Sequence, residues 1–167
     1  MVTIILDGYN VIHAVPELAR HLDRSLQSAR EALVRLCQEH RVRRGDIEQL
    51  YVVFDGREAY ASGLHEQSCG SVKVLFTQKP EEADGRILRV IEAQGSRSCC
   101  VVVSNDNEVF NNARAFGARV ISVQEFYEHV RQIRTRRAES SAAPDRVTLS
   151  PRDAQRITEE YRKHLNT

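Results

Sequence analysis

Of the eight aspartates in this chain, four fall where short apolar runs end or where the following helix begins. Asp7 closes the first run and Asp55 the second, Asp84 stands near the start of a helical pattern after the third, and Asp106 follows the fourth. Glu81 and Glu82 precede Asp84. Carboxylates gathered from distant parts of a chain repel one another and are costly unless a cation compensates them. Their mutual repulsion is expected to raise their pKa values in the absence of an ion. Hard oxygen ligands, one or two per ion with waters and substrate phosphates completing the shell, are what Mg²⁺ or Mn²⁺ takes. The chemistry served by such a rim is attack of metal-activated water on a phosphodiester. Each aspartate also has a structural role open to it. Asp55-Gly56 suits a turn, and Asp84 and Asp106 suit the first turn of a helix.

Other α/β chemistries find no support. Asp7 is followed by Gly8 and Tyr9, so the second aspartate of a haloacid-dehalogenase nucleophile pair is missing. The chain has no GxxxxGK[ST] loop, no GxGxxG after its first run and no GxSxG elbow. Its cysteines, Cys37, Cys69, Cys99 and Cys100, form no CxxC pair and read as reduced packing thiols. Cys99 and Cys100 are expected in one strand, pointing to opposite faces.

The elements that must position the aspartates follow from hydrophobic pattern. Apolar runs at 2–6, 50–54, 72–76, 99–103 and 119–123 lack strict alternation, as strands covered on both faces do. Helical spacing links Leu26, Ala29, Leu33, Leu36 and Cys37 after a Ser25 cap. It recurs in Ala83, Ile87, Val90 and Ile91, in Val109, Phe110 and Ala113, and over 124–136. Five strands alternating with helices predict a mostly parallel α/β sheet, whose ligands sit at the strands' carboxyl ends. The segment 57–71 reads as a loop overhanging that edge, able to guide a single strand of RNA. A nuclease domain is expected over 1–137, a linker over 138–150 and a C-terminal helix over 151–167. That helix carries one apolar stripe of Ala154, Ile157, Tyr161 and Leu165, and the tail 138–167 is net neutral.

With 24 basic and 23 acidic residues, the net charge of +1 excludes a general pull toward polyanions, so any RNA must be held locally. Arg41, Arg43 and Arg44 form one candidate track, and Arg131, Arg134, Arg136 and Arg137 another, with Arg57 beside Asp55. Arginine outnumbers lysine 21 to 3, so such clusters also arise from composition alone. No apolar run approaches membrane-spanning length, and the first residues predict no secretory signal, so a cytoplasmic location without membrane association is expected.

Asp7-Gly8-Tyr9-Asn10-Val11-Ile12 resembles the opening motif of the NYN domain, a branch of the PIN-like nucleases. Val53-Phe54-Asp55-Gly56, Glu82-Ala83-Asp84 and Ser104-Asn105-Asp106 follow in that family's order, most similar to its YacP-like subgroup. The resemblance spans 2–133 and leaves the tail outside. It implies a PIN-like three-layer α/β/α fold and a metal-dependent endoribonuclease acting on single-stranded RNA, including messenger RNA on the ribosome. It implies Mg²⁺ or Mn²⁺ ligands at Asp7, Asp84 and Asp106, with Asn10 and Asp55 helping to build the site. Ser104 and Asn105 would fix the loop carrying Asp106. Glu82 stands where the subgroup commonly has Thr, and Arg86 is a further departure; the two could alter the number of metals or simply pair with each other. Two other readings stay open: an RNA- or ribosome-binding module that has lost catalysis, and a small-molecule phosphatase with a closed pocket.

Overall fold

In a computed structural model, the structure describes residues 1–56, 66–77 and 80–142, with side chains through residue 136. Contacts divide the chain into two units, residues 1–133 and 134–167. Among the described residues the first unit holds a six-stranded sheet: β1 (Val2–Asp7), β2 (Ile47–Phe54), β3 (Glu66–Cys69), β4 (Val72–Phe76), β5 (Cys100–Val103) and β6 (Arg119–Ile121). Their order is β3-β4-β2-β1-β5-β6, and every pair is parallel except β3 with β4.

β3 corrects the expected five strands and the loop read over 57–71. Glu66-Gln67-Ser68-Cys69 has no β-branched residue and is only half-covered, so its composition hides it. What makes it a strand is the return through Gly70, whose φ of +59° suits a tight turn, and pairing with β4. A short polar strand also makes a safe sheet edge.

Helices α1 (Gly8–Ala14), α2 (Pro16–Ala19) and α3 (Leu26–Arg43) follow β1, α4 (Ala83–Glu92) follows β4, α5 (Asn107–Ala115) follows β5 and α6 (Val123–Ala142) follows β6. Two buried clusters define the outer layers. On one face Ile4, Leu6, Leu50, Val52 and Phe54 meet Val11, Leu33 and Phe126 of α1, α3 and α6. On the other, Ile5, Val53, Leu75 and Val102 meet Ile87 and Ile91 of α4 and Val109 of α5. Successive strand residues go to opposite faces, so both clusters are fed from the same strands. This is the expected three-layer α/β/α arrangement. The helical spacings hold: Ser25 Oγ accepts from the Ser28 N–H (3.0 Å) at the start of α3, and Ala83, Ile87, Val90 and Ile91 are buried.

Cys99 lies in a short 3-10 turn and is exposed, while Cys100 opens β5 and is buried, so the two do not share a strand. α6 runs on to Ala142, into the stretch read as a linker. The helix expected over 151–167 lies outside the described residues. Among the described residues no helix is long and apolar enough to cross a membrane.

Candidate active site

Chain direction reverses its lateral course at β1, with β2 on one side and β5 on the other. Such a switch point opens a crevice at the strands' carboxyl ends, between the loops that leave to opposite faces. Asp7 ends β1 there, and Asp106 follows β5.

Each is held by its own backbone surroundings. Asp7 caps α1: its Oδ1 accepts from the Asn10 N–H (3.5 Å) and its Oδ2 from the Ser104 hydroxyl (3.1 Å). Ser104 Oγ in turn accepts from the Asp106 N–H (3.0 Å). Asp106 caps α5, accepting from the N–H groups of Glu108 (2.7 Å) and Val109 (3.4 Å). Asn10 does not point at open space: its Oδ1 accepts from the Asn105 N–H (2.8 Å). Asn105 Oδ1 then accepts from the Val123 N–H at the start of α6 (2.9 Å). Asn10, Ser104 and Asn105 therefore tie the ends of β1 and β5 to three helices and fix where the carboxylates stand.

Asp55 is exposed at the end of β2 and accepts from the Thr77 hydroxyl (2.8 Å). Thr77 is buried just past β4, and the sequence reading places it before the Asp84 helix without a role at the site. Its only sequence signal is a lone hydroxyl ending an apolar run. Asp84 occupies the first turn of α4 and accepts no hydrogen bond among the described residues.

Burial, ahead of mutual repulsion, sets the electrostatics. It pushes the Asp7 carboxyl above the usual range against the opposing pull of the Ser104 and Asn10 hydrogen bonds, and Asp106 and Asp55 add to the rise. Asp84 is pushed up to about 6 by burial first, then by Asp106, Asp7, Glu108 and Glu82. These carboxylates thus feel one another across the switch point.

The fit to a divalent ion is one of charge and donor chemistry. Among the described residues, no three His, Cys, Asp or Glu side chains stand together closely enough to hold one ion jointly. The direct three-carboxylate set of Asp7, Asp84 and Asp106 is therefore not assembled among the described residues. An ion that keeps several waters needs only one or two direct carboxylates.

The first arginine cluster lies elsewhere. Arg41, Arg43 and Arg44 end α3 at the opposite edge of the sheet, where Arg44 lines a small cavity with Val2 and Arg119. Arg41 donates to the Glu48 carbonyl, Arg43 faces Glu39 (3.9 Å) and Arg44 is bound to Asp46. Arg131 follows by two residues His129, which lines that same cavity, and it faces Glu128 (3.8 Å). Arg134 begins the second unit, and Arg57 lies outside the described residues. Tyr9 packs on Phe54 with ring centroids 5.1 Å apart, and its hydroxyl accepts from the buried Arg30 (2.9 Å). No Glu82–Arg86 pair forms among the described residues; Glu81 pairs with Arg89 instead (3.2 Å).

A family model described as the YacP-like NYN domain matches residues 4–167. The chain belongs to the YacP-like NYN family. The match continues through the tail, beyond residue 133 where the sequence resemblance stopped. The NYN family is nuclease-like, so this is a nuclease-type domain. The Bacillus subtilis (strain 168) protein YacP is 34% identical over 91 residues, 54% of this chain and 51% of the relative. The chain thus aligns with about half the length of that relative. The crystal structure of Rae1 (YacP) from Bacillus subtilis is similar at a TM-score of 0.65 and 26% identity, over 98% of this chain and 95% of that one. A single-substitution variant of it is similar at a TM-score of 0.68 and 28% identity, over 86% and 87%.

The raised Asp84 carboxyl has a thermal consequence for this YacP-like domain. Between the ordinary carboxylate value of about 4 and its own value of about 6, the folded chain keeps a proton the unfolded chain has released. In EDTA, Asp84's own contribution to stability therefore falls as pH rises through that window. Asp84→Asn removes this contribution to the fall, so its melting temperature should gain on the wild type from pH 4 to pH 7.5. Thermal melts at the two pH values check this; an equal difference at both would contradict it.

Proposed function

We propose that this protein is a Mg²⁺- or Mn²⁺-dependent endoribonuclease of the cytoplasm that cuts single-stranded RNA by water attack on a phosphodiester. The carrying observation is the convergence of carboxylates from four separate elements on one switch-point crevice, with Asp84 pushed up to about 6. Uncompensated, that arrangement costs stability, and a divalent ion relieves it. Asp7, Asp84 and Asp106 would hold the ion between them, one or two directly and the rest through its waters. When bound, such an ion neutralises phosphate charge and lowers the pKa of water. The rest is done by the chain. Ser104 and Asn10 orient Asp7, Asn105 locks the Asp106 loop onto α6, and Thr77 holds Asp55 at the rim. Messenger RNA, including RNA on the ribosome, is the substrate class that the YacP-like resemblance supports.

The capping roles of Asp7 and Asp106 favour one second reading, an RNA-binding module with no catalysis. One assay decides. End-labelled single-stranded RNA is incubated with the full chain and Mn²⁺, with and without EDTA. Internal cuts that appear with Mn²⁺ and vanish with EDTA are expected. RNA bound but uncut with Mn²⁺ would select the second reading, and cutting that survives EDTA would exclude a metal enzyme.

A further inference from the structure

The other flank of α4 closes a second cleft, of about 240 Å³, against β2 and β4. Its sheet side includes Tyr51, Glu66 and Lys73, and its helix side Arg86, Arg89 and Val90. Arg86 follows Asp84 by two residues, about 200° around the helix, so the two side chains serve opposite flanks. Arg86 therefore leaves the carboxylate site that its position in sequence suggested.

The cations of this cleft differ in how they are satisfied. Lys73 lies 3.9 Å from Glu66, with its ammonium 5.5 Å from the Tyr51 ring centroid. Arg89 faces Glu81. Arg86 has no carboxylate partner among the described residues, and its buried Nε has no hydrogen bond. A half-buried guanidinium that lines a cleft without a carboxylate partner can receive an anion on its outer nitrogens. A half-buried tyrosine ring beside it adds a surface for a planar group.

The cleft also points at the candidate active site. Tyr51 and Lys73 are register partners on β2 and β4. Asp55 and Thr77, at the carboxylate rim, each stand four residues further along the same two strands, roughly 13 Å away. A cleft pairing unneutralised guanidinium with an aromatic ring matches a nucleotide of a single strand, whose phosphate and base are both accessible.

We propose that this cleft binds one nucleotide of the RNA strand away from the scissile bond, its phosphate on Arg86 and Lys73 and its base against Tyr51. The inference rests on the endoribonuclease reading and adds the path by which the strand leaves the carboxylates. Arg86 and Lys73 are binding residues here and take no part in the chemistry.

The test is fluorescence anisotropy of a labelled oligouridine of about 15 nucleotides with the full chain in EDTA, repeated over a salt series. Cleavage kinetics with Mn²⁺ run in parallel. Arg86→Gln combined with Lys73→Gln should weaken binding about tenfold and lower the salt slope by about 0.7 per lost phosphate contact. KM should rise with kcat held, and Arg86→Lys should restore part of the affinity. Arg24→Gln with Arg35→Gln, exposed on α3 and its approach, removes the same charge elsewhere and should leave binding near wild type. Wild-type binding by the cleft variant, or equal loss in the α3 control, overturns this inference and leaves the cleavage reading standing. A wild-type chain that neither binds nor cuts RNA overturns the endoribonuclease reading and this inference with it.

Discussion

Asp7→Asn should lower Mn²⁺-dependent RNA cleavage by ~100-fold or more while the fold holds. Disturbing partners of metal ligands alone typically costs 10–100-fold, and on the proposed reading this change removes a ligand charge itself. The fold survives because asparagine caps helices about as well as aspartate, and its Oδ1 can still accept from the Asn10 N–H. Burial already disfavours the ionised Asp7 carboxyl, so a neutral side chain at this place should hold or raise stability without metal. Initial rates at saturating Mn²⁺, with thermal melts in EDTA, make the measurement. Near wild-type cleavage would remove Asp7 from the chemistry and leave it only a helix cap.

The largest structural effect is expected one residue on. Gly8 is buried at the first position of α1, where the chain turns from β1 across the end of β2. A Cβ there would lie 2.4 and 2.5 Å from the Phe54 ring and 2.9 Å from the Val53 carbonyl oxygen. The ring has nowhere to go. It is fully buried, with Tyr9 5.1 Å and Phe76 5.5 Å away between centroids and the Arg30 guanidinium 5.7 Å from its own. Gly8→Ala must therefore push β1 and β2 apart at their carboxyl ends, which separates Asp7 from Asp55. Overpacking of this kind costs about 1–3 kcal/mol. For a chain of this size, that is a fall of roughly 2–12 °C in melting temperature. Gly85→Ala is the matched control: its Cβ would meet only the Glu81 Cγ at 3.9 Å, so a helix interior gains alanine without a clash. The two melts should move in opposite directions. Gly8→Ala melting at or above wild type would show that the close approach of α1 to β2 is dispensable.

The capping geometry explains why the same residues can look structural and functional at once. Asp7 and Asp106 complete the first turns of α1 and α5, and this is what aims both at the β1–β5 crevice. A helix N-terminus at the end of a strand is where a carboxylate is both a good cap and a member of a strand-end rim.

Local chemistry written into the sequence determined the strands that are buried on both faces, the amphipathic helices and the four aspartates that end or follow them. Those signals are short-range: a β-branched run, a 3.6-residue period or a Ser25 cap acts within a few residues and survives translation into structure. Tertiary structure alone decided the rest. It paired polar Glu66–Cys69 as an edge strand, since backbone hydrogen bonds to β4 do not depend on side-chain type. It turned Asn10 onto the Asn105 backbone and Asn105 onto α6, contacts between residues 95 and 18 positions apart. It carried Arg41, Arg43 and Arg44 to the far edge of the sheet, because a crossover helix returns the chain to where the next parallel strand must start. And it set Arg86 on the flank of α4 opposite Asp84, since two residues along a helix is more than half a turn.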